Sequence, residues 1–309
     1  MKPIFFRFYF LIAFASLGSC TSLLHKTGLL WERSYSDIES NVIIVDKFVW
    51  HYSETGNQGE VILAIHGFGG DRDHWTRFAR HFGPGFKVVA PDLPGFGQNL
   101  KIPGESYTIA EQVKRLHEFV QAIDLKQFHI VGNSMGGHIA GVYAATYPNE
   151  VKSLILIDNA GVKSPNPSKM QTMMQNGEPN PLLVTNVEDF DRLMAFSFVR
   201  PPYIPGFMKS HFANRAIENR SWNESIFQQL RAEGYLLESK LSSIKTKTFV
   251  IWGDSDRVID VSVTDVLKQK MKPSPKVEIM YQVGHAPMIE APEDTANLVI
   301  NWIQSLKQK

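Results

Sequence analysis

One cysteine, Cys20, occurs in 309 residues, so the chain cannot close a disulfide within itself and must draw its stability from a packed core. Charge bias is lacking too. The 32 basic and 31 acidic residues leave a formal net charge of +1, which gives no electrostatic reason to expect a nucleic-acid partner or a strongly acidic one. No internal repeat, low-complexity tract, metal-ligand cluster or nucleotide-binding glycine pattern is visible, so neither a cofactor nor a metal is expected. What is present is an ordinary globular composition, 43% hydrophobic and 20% charged. A chain of this length can bury a large core in one domain with an insertion, or in two.

The first twenty residues, MKPIFFRFYFLIAFASLGSC, differ from everything after them. Lys2 and Arg7 supply positive charge and residues 8–17 are almost all apolar, which predicts a signal peptide, too short to span a bilayer comfortably. Its end, LGSC, resembles the lipobox of bacterial lipoproteins, in which the signal is cut before the cysteine and lipid is attached to the sulfur. The resemblance implies a lipid on Cys20 and a place in the bacterial cell envelope, anchored to a membrane, the outer one included, or secreted. An ordinary cleavable signal, or an uncleaved anchor with a cysteine there by chance, is the alternative.

From residue 41 onward short apolar runs alternate with longer amphipathic stretches, the pattern of βαβ units on a mostly parallel sheet. NVIIVDKFVW (41–50) reads as one early strand, a candidate for antiparallel pairing with the chain just after it. VILAIHG (61–67), KVVAPD (87–92), FHIVGN (128–133), SLILID (153–158), TFVIWG (248–253) and VEIMYQ (277–282) read as strands buried on both faces, since their apolar positions run consecutively. One connection breaks the rhythm: nearly ninety residues separate Asp158 from Thr248, where a crossover needs only about a dozen or somewhat more. Residues 161–240 are therefore predicted to form a mostly helical cap, with core segments at 21–160 and 241–309 and the signal at 1–20. Met170, Met173, Met174, Phe196, Phe198, Phe207 and Met208 are candidate walls for an acyl chain, because methionine lines adaptable apolar surfaces. The plainer alternative is that these side chains only pack the cap onto the core.

VGNSMGG (131–137) follows one of these strands and precedes MGGHIAGVYAATYP, whose small residues suit a helix packed closely on a sheet. A G-x-S-x-G in a strand-turn-helix setting exposes its serine on a turn so tight that both flanking positions need glycine, here Gly132 and Gly136. A serine hydroxyl is a poor nucleophile near neutral pH and requires a base to take its proton and a carboxylate to orient that base. WGDSDRVI and VGHAPMIEAP follow the last two strands, which brings Asp256 and His285 to the same carboxyl edge of the sheet as Ser134. Asp254, Asp260 and Asp158 are rivals for the acid. His51, His81, His117 and His138 fall in stretches better explained as surface or helix positions. The loop HGFGGDRDHW offers the backbone N–H of Phe68, and the elbow that of Met135, as donors for a developing oxyanion. His66 and Asp92 are read as residues that shape their loops.

HGFGGDRDHW, DLPGFGQN, GNSMGG, WGDSDRVI and GHAPMIEAP, in that order and spacing, resemble the α/β-hydrolase superfamily, and more closely the bacterial family-V lipases and the membrane-bound monoacylglycerol lipases related to them. The similarity runs from about residue 40 to the end and includes EDFDRLMAFSFVRPPYIP in the predicted cap. It implies an α/β-hydrolase fold with helices on both faces of a mostly parallel sheet. It also implies hydrolysis of acylglycerols or other carboxylic esters, with Ser134 as nucleophile, Asp256 as acid and His285 as base. Two alternatives stay open. GNSMGG also occurs in carbon-carbon bond hydrolases of ring-cleavage products, although those usually place Trp after the Gly-His pair, where this chain has Ala286. A non-catalytic lipoprotein could use the same pocket to bind a small molecule. A nucleophilic Asp at the elbow would have indicated dehalogenation, and Ser134 removes that option.

Overall fold

The computed structural model describes residues 32–33, 36–56 and 58–307, apart from the side chain of Phe207. The predicted signal segment and Cys20 lie outside the described residues. Among the described residues, no helix is long and apolar enough to cross a membrane.

The strands are β1 (Ile38–Val45), β2 (Phe48–Thr55), β3 (Glu60–Ile65), β4 (Phe86–Pro91), β5 (Phe128–Asn133), β6 (Val151–Ile157), β7 (Thr248–Gly253) and β8 (Lys276–Met280). They form one eight-stranded sheet in the order β1-β2-β4-β3-β5-β6-β7-β8. β2 runs antiparallel to both β1 and β4, and the remaining pairs are parallel. The antiparallel pairing expected near 41–50 is present, but that stretch is divided between the two strands of the hairpin rather than forming one. The chain reverses at Asp46, whose φ is +52°, a conformation that aspartate tolerates in turns. Apolar residues on both sides of Asp46-Lys47 hide that turn in the sequence.

The consecutive apolar runs have a direct cause. Leu63, Ile65, Ile130, Leu154, Leu156, Val250 and Trp252 face one buried cluster, while Ile62, Ala64, Val131, Ile155, Ile157, Phe249 and Ile251 face another. Alternate residues of these strands thus enter opposite cores, whereas VEIMYQ, also expected to be buried on both faces, falls on the edge strand β8, whose residues are half-buried or exposed. The first core is closed by α2 (Ile109–Ala122), α3 (Met135–Thr146) and α9 (Val263–Lys270), the second by α1 (Thr76–Ala79) and α11 (Pro292–Lys307).

Between β6 and β7 the chain forms α4 (Lys169–Gln175), α5 (Val187–Ser197), α6 (Gly206–Glu218), α7 (Arg220–Glu233) and α8 (Leu236–Lys240). Val184, Phe190 and Ala213 make a small cluster of their own. Ile226 and Leu237, in contrast, belong to the main core, and a Cβ at Gly141 of α3 would fall 2.6 Å from the Leu237 side chain. The Glu233 carboxylate accepts from the backbone N–H groups of Ile109 and Ala110, satisfying first-turn donors of α2 that have no partner within their own helix. The inserted helices are therefore bonded into the sheet domain at several points. A four-residue helix, α10 (Pro287–Glu290), follows β8 and leads into α11.

Candidate active site

Ser134 sits between the end of β5 and the first residue of α3, at φ +55° and ψ −118°. An L-residue held there is strained, and such strain persists only where the surroundings over-determine it. They do so here: the Ser134 N–H donates to Ile157 O at 3.0 Å, and its carbonyl accepts from the N–H groups of His138 and Ala160 at 3.0 and 2.9 Å. A Cβ at position 132 would lie 2.2 Å from Gly136 O, and one at 136 would lie 2.1 Å from Ile65 O, so neither position admits any residue but glycine.

His285 lies in the loop between β8 and α10, 8% exposed. Its Nδ1 is 2.8 Å from Asp256 Oδ2, and the Asp256 side chain is wholly buried. Facing a carboxylate, Nδ1 carries the proton, which leaves Nε2 with a lone pair able to accept another. The other oxygen of Asp256 accepts from the N–H groups of Val258 and Ile259 at 2.7 and 3.1 Å, fixing the carboxylate in place. Asp254 is instead engaged by the Gln282 N–H and the Ser255 hydroxyl, and Asp260 by the Ser262 N–H; neither meets a histidine.

Two bonds to the His285 main chain join it to its neighbours. Asn133 Nδ2 donates to His285 O at 2.9 Å, and the His285 N–H donates to Ser197 O, at the end of α5, at 2.8 Å. Ser134 Oγ, 9% exposed as a residue, makes no hydrogen bond among the described residues. Bonds of this kind are often long without substrate and shorten in the reacting complex.

The Phe68 loop packs directly on the elbow, since a Cβ at Gly67 would lie 3.3 Å from the Ser134 Cβ. The Phe68 N–H has no acceptor among the described residues. Met135 opens α3, so its N–H is a first-turn donor without an intrahelical partner. Both expected oxyanion donors thus flank Ser134. His66 is fully buried. Its Nδ1 faces Gly67 O at 2.8 Å and its Nε2 accepts from the Leu93 N–H at 3.0 Å, while burial lowers its pKa to about 4. Asp92 accepts from the backbone N–H groups of Arg72 and Gln98 and from the Arg72 guanidinium. Both residues shape their loops.

Asp158 ends β6 beside these groups, fully buried, with one oxygen accepting from the Gly253 N–H at 3.0 Å. One ligand atom each of Asp158, Asp256 and His285 lies within 4.8 Å of the others, the one group of potential metal ligands among the described residues. Asp256 and His285 spend their facing atoms on each other.

A cavity of about 410 Å³ opens next to this cluster, lined by Ala160, Met170, Met174, Phe227, Val258 and Ile259 among others. Of the candidate wall residues, Met170 and Met174 line it, whereas Phe198 packs into the second core beside Ala286 and Met288. Phe227 meets the Phe68 loop, its ring 5.5 Å from that of Phe68. Arg215 of α6 pairs with Asp71 of the same loop at 2.9 Å.

Three residues of this region escape a reading of the sequence: Asn133, Asp158 as a neighbour of the acid, and Glu290. The Glu290 side chain is buried, and its oxygens accept from the N–H groups of Gly284, Arg200 and Val199, joining the histidine loop to the segment after α5. The only local signal is its place in GHAPMIEAP.

A profile described as the alpha/beta hydrolase fold matches residues 60–292. The chain is 40% identical over 274 residues to Lipase 1 of Psychrobacter immobilis, covering 86% of this chain and 84% of that one. It is 32% identical over 268 residues to a monoacylglycerol lipase of Mus musculus, covering 82% and 79%. Among solved structures it is similar to a membrane phospholipase A described as a bacterial virulence factor, with a TM-score of 0.94, 39% identity and full coverage of both chains. With this sheet order, this elbow and matches of this extent, the chain belongs to the alpha/beta hydrolase fold family.

Proposed function

We propose that the protein hydrolyses carboxylic esters of acylglycerols, with Ser134 as nucleophile, His285 as general base and Asp256 as the acid that orients it. The observation that carries this reading is the 2.8 Å bond between His285 Nδ1 and Asp256 Oδ2, made beside an elbow that holds Ser134 at positive φ.

In the first half-reaction Ser134 Oγ attacks the ester carbonyl and its proton passes to His285 Nε2. The carbonyl oxygen becomes an oxyanion facing the N–H groups of Phe68 and Met135. Losing one such donor typically costs about 3 kcal/mol of barrier. Collapse expels the alcohol, which takes the proton from Nε2, and leaves an acyl group on Oγ. A water then attacks, giving its proton to Nε2, and the carboxylic acid departs as Ser134 regains its hydrogen. The acyl chain occupies the cavity lined by Met170 and Met174.

The likeness to lipases and to a monoacylglycerol lipase supports glycerolipid esters as the substrate class. A second reading, a glycerophospholipid, is favoured by the likeness to a membrane phospholipase A. Lipid on Cys20 would hold the protein to an envelope membrane beside such substrates. The motif LGSC supports that anchor.

The test is hydrolysis of p-nitrophenyl esters and reaction with a fluorophosphonate, both abolished in Ser134→Ala. Unchanged turnover in that variant ends the reading. For the anchor, cells fed a radioactive fatty acid should label the parent but not Cys20→Ala.

A further inference from the structure

The hydrogen-bond pattern around Asp158 points to a role beyond that of a rejected rival for the acid. Its side chain is fully buried at the end of β6, where φ is +45°. One oxygen accepts from Gly253 of β7. The other, Oδ2, has no donor to accept from. Yet an atom of this carboxyl lies within 4.8 Å of both an Asp256 oxygen and a His285 nitrogen. As a carboxylate, Asp158 would leave a buried negative oxygen unsatisfied against another negative oxygen. As a carboxylic acid it would donate to Asp256, and the orphan disappears.

Two carboxyls this close in a buried site do not both ionise. Which one keeps the proton is set by the donors around each. Asp256 accepts from Val258, Ile259 and His285, whereas Asp158 accepts from Gly253 alone, so the charge settles on Asp256. The groups facing Asp158 are Asp256 on the loop after β7, Glu290 on α10 and His285 on the loop after β8. Burial, with the Asp256 and Glu290 carboxylates nearby, holds the Asp158 carboxyl well above the ordinary range.

We propose that Asp158 is a positioning residue: a neutral carboxylic acid that donates its proton in a hydrogen bond to Asp256 and so sets how strongly Asp256 supports charge on His285. The proposal rests on the assignment of Asp256 and His285 given above. Donation draws negative charge away from the face that Asp256 turns to the imidazole. The imidazolium that forms as the base takes a proton is then less favoured. No bond is made or broken in this role, and the proton remains on Asp158 through the cycle.

The sign of one substitution separates this role from others. Asp158→Asn keeps a neutral group that can accept from Gly253 and donate to Asp256. A neutral Asp158 therefore predicts that the acidic limb of kcat/KM against pH stays within about 0.3 units of the parent. If Asp158 were ionised, the same change would delete a negative charge beside His285 and pull the limb down by about one unit. Asp158→Ala removes the donor, and the limb should rise by about 0.5 to 1 unit. A second readout needs no turnover: the infrared spectrum at pH 8 should show the carbonyl band of a protonated carboxylic acid in the parent and lose it in Asp158→Asn. Absence of that band in the parent, or a limb that falls in Asp158→Asn, overturns the proposal. Should Asp158→Ala fail to fold, the band and the Asp158→Asn profile decide it. A parent without ester turnover would sink the assignment of function instead, and the band would still report the proton on Asp158.

Discussion

Asn133, the residue immediately before the elbow serine, holds the main chain of His285 through the 2.9 Å bond from its Nδ2. The same nitrogen reaches Ile157 O at 3.2 Å, and a Cβ at Gly67 would fall 3.2 Å from its Oδ1. One buried amide thus bonds the end of β6 and the histidine loop and lies against the Phe68 loop. Asn133→Ala should lower kcat about tenfold with KM little changed, because misplacing a base by a fraction of an ångström costs rate more than binding. Steady-state kinetics on a short ester checks this, and an unchanged kcat would show that the contact is only structural.

Glu290 closes a second connection. Its buried carboxylate accepts from the N–H groups of Gly284, Arg200 and Val199 and lies 3.9 Å from the Arg200 side chain. Glu290→Gln turns an NH₂ group toward one or more of them, leaving a buried donor unsatisfied at a cost of about 2 kcal/mol. Calorimetry should register a lower melting temperature and kinetics a loss of ester turnover. A variant as stable and active as the parent would remove Glu290 from the site.

The cavity lined by Met170 and Met174 should govern chain-length preference. Each buried methylene contributes about 0.8 kcal/mol, so a side chain that fills the space should penalise long acyl groups and spare short ones. Met174→Trp is expected to cut the ratio of dodecanoate to acetate kcat/KM more than about tenfold, with acetate turnover changed less than about twofold. Equal losses on both esters would place the acyl chain elsewhere.

A pH effect on stability is expected far from the site. Glu60, at the start of β3, meets Lys152 at 2.5 Å and Lys307 at 3.1 Å. Its hydrogen bond from Lys152 is the main cause that lowers its pKa from the ordinary 4.5 to about 2. A depressed folded-state value means that the stabilisation is present above about 4.5 and is lost as pH falls toward 2. Glu60→Gln should therefore be less stable than the parent by about 1 kcal/mol at pH 7, the gap closing in acid. Urea unfolding at pH 7 and at pH 3 measures it. A gap that persists undiminished at pH 3 would show that the loss is not one of charge.

Much of this arrangement is legible in the sequence because its signals are local. The strands around Ile62, Ile130 and Ile155 announce themselves by consecutive apolar residues, and Ser134 by the glycines that its turn demands. Asp256 and His285 are found because strand order carries both to one edge of the sheet. What escapes is set by tertiary approach. Nothing near Asn133 says that its amide will meet a carbonyl 152 residues away, and nothing beside Asp158 says that β6 will bring it next to Asp256. The position of the hairpin turn at Asp46 is hidden by apolar residues on both sides of it. Phe198 and Met174 look alike in composition, yet one packs in the core and the other lines the cavity.

The bond from the His285 N–H to Ser197 O has a consequence for entry. An outward swing of the last turn of α5 would break the bond that holds the His285 main chain, so this turn is a jamb beside the proposed catalytic groups. α6 leans on that jamb, Ala213 packing with Phe190 of α5 and Lys209 pairing with Asp191 at 2.6 Å. It also meets the Phe68 loop through the largely buried Arg215–Asp71 pair, a latch that salt would screen only in part.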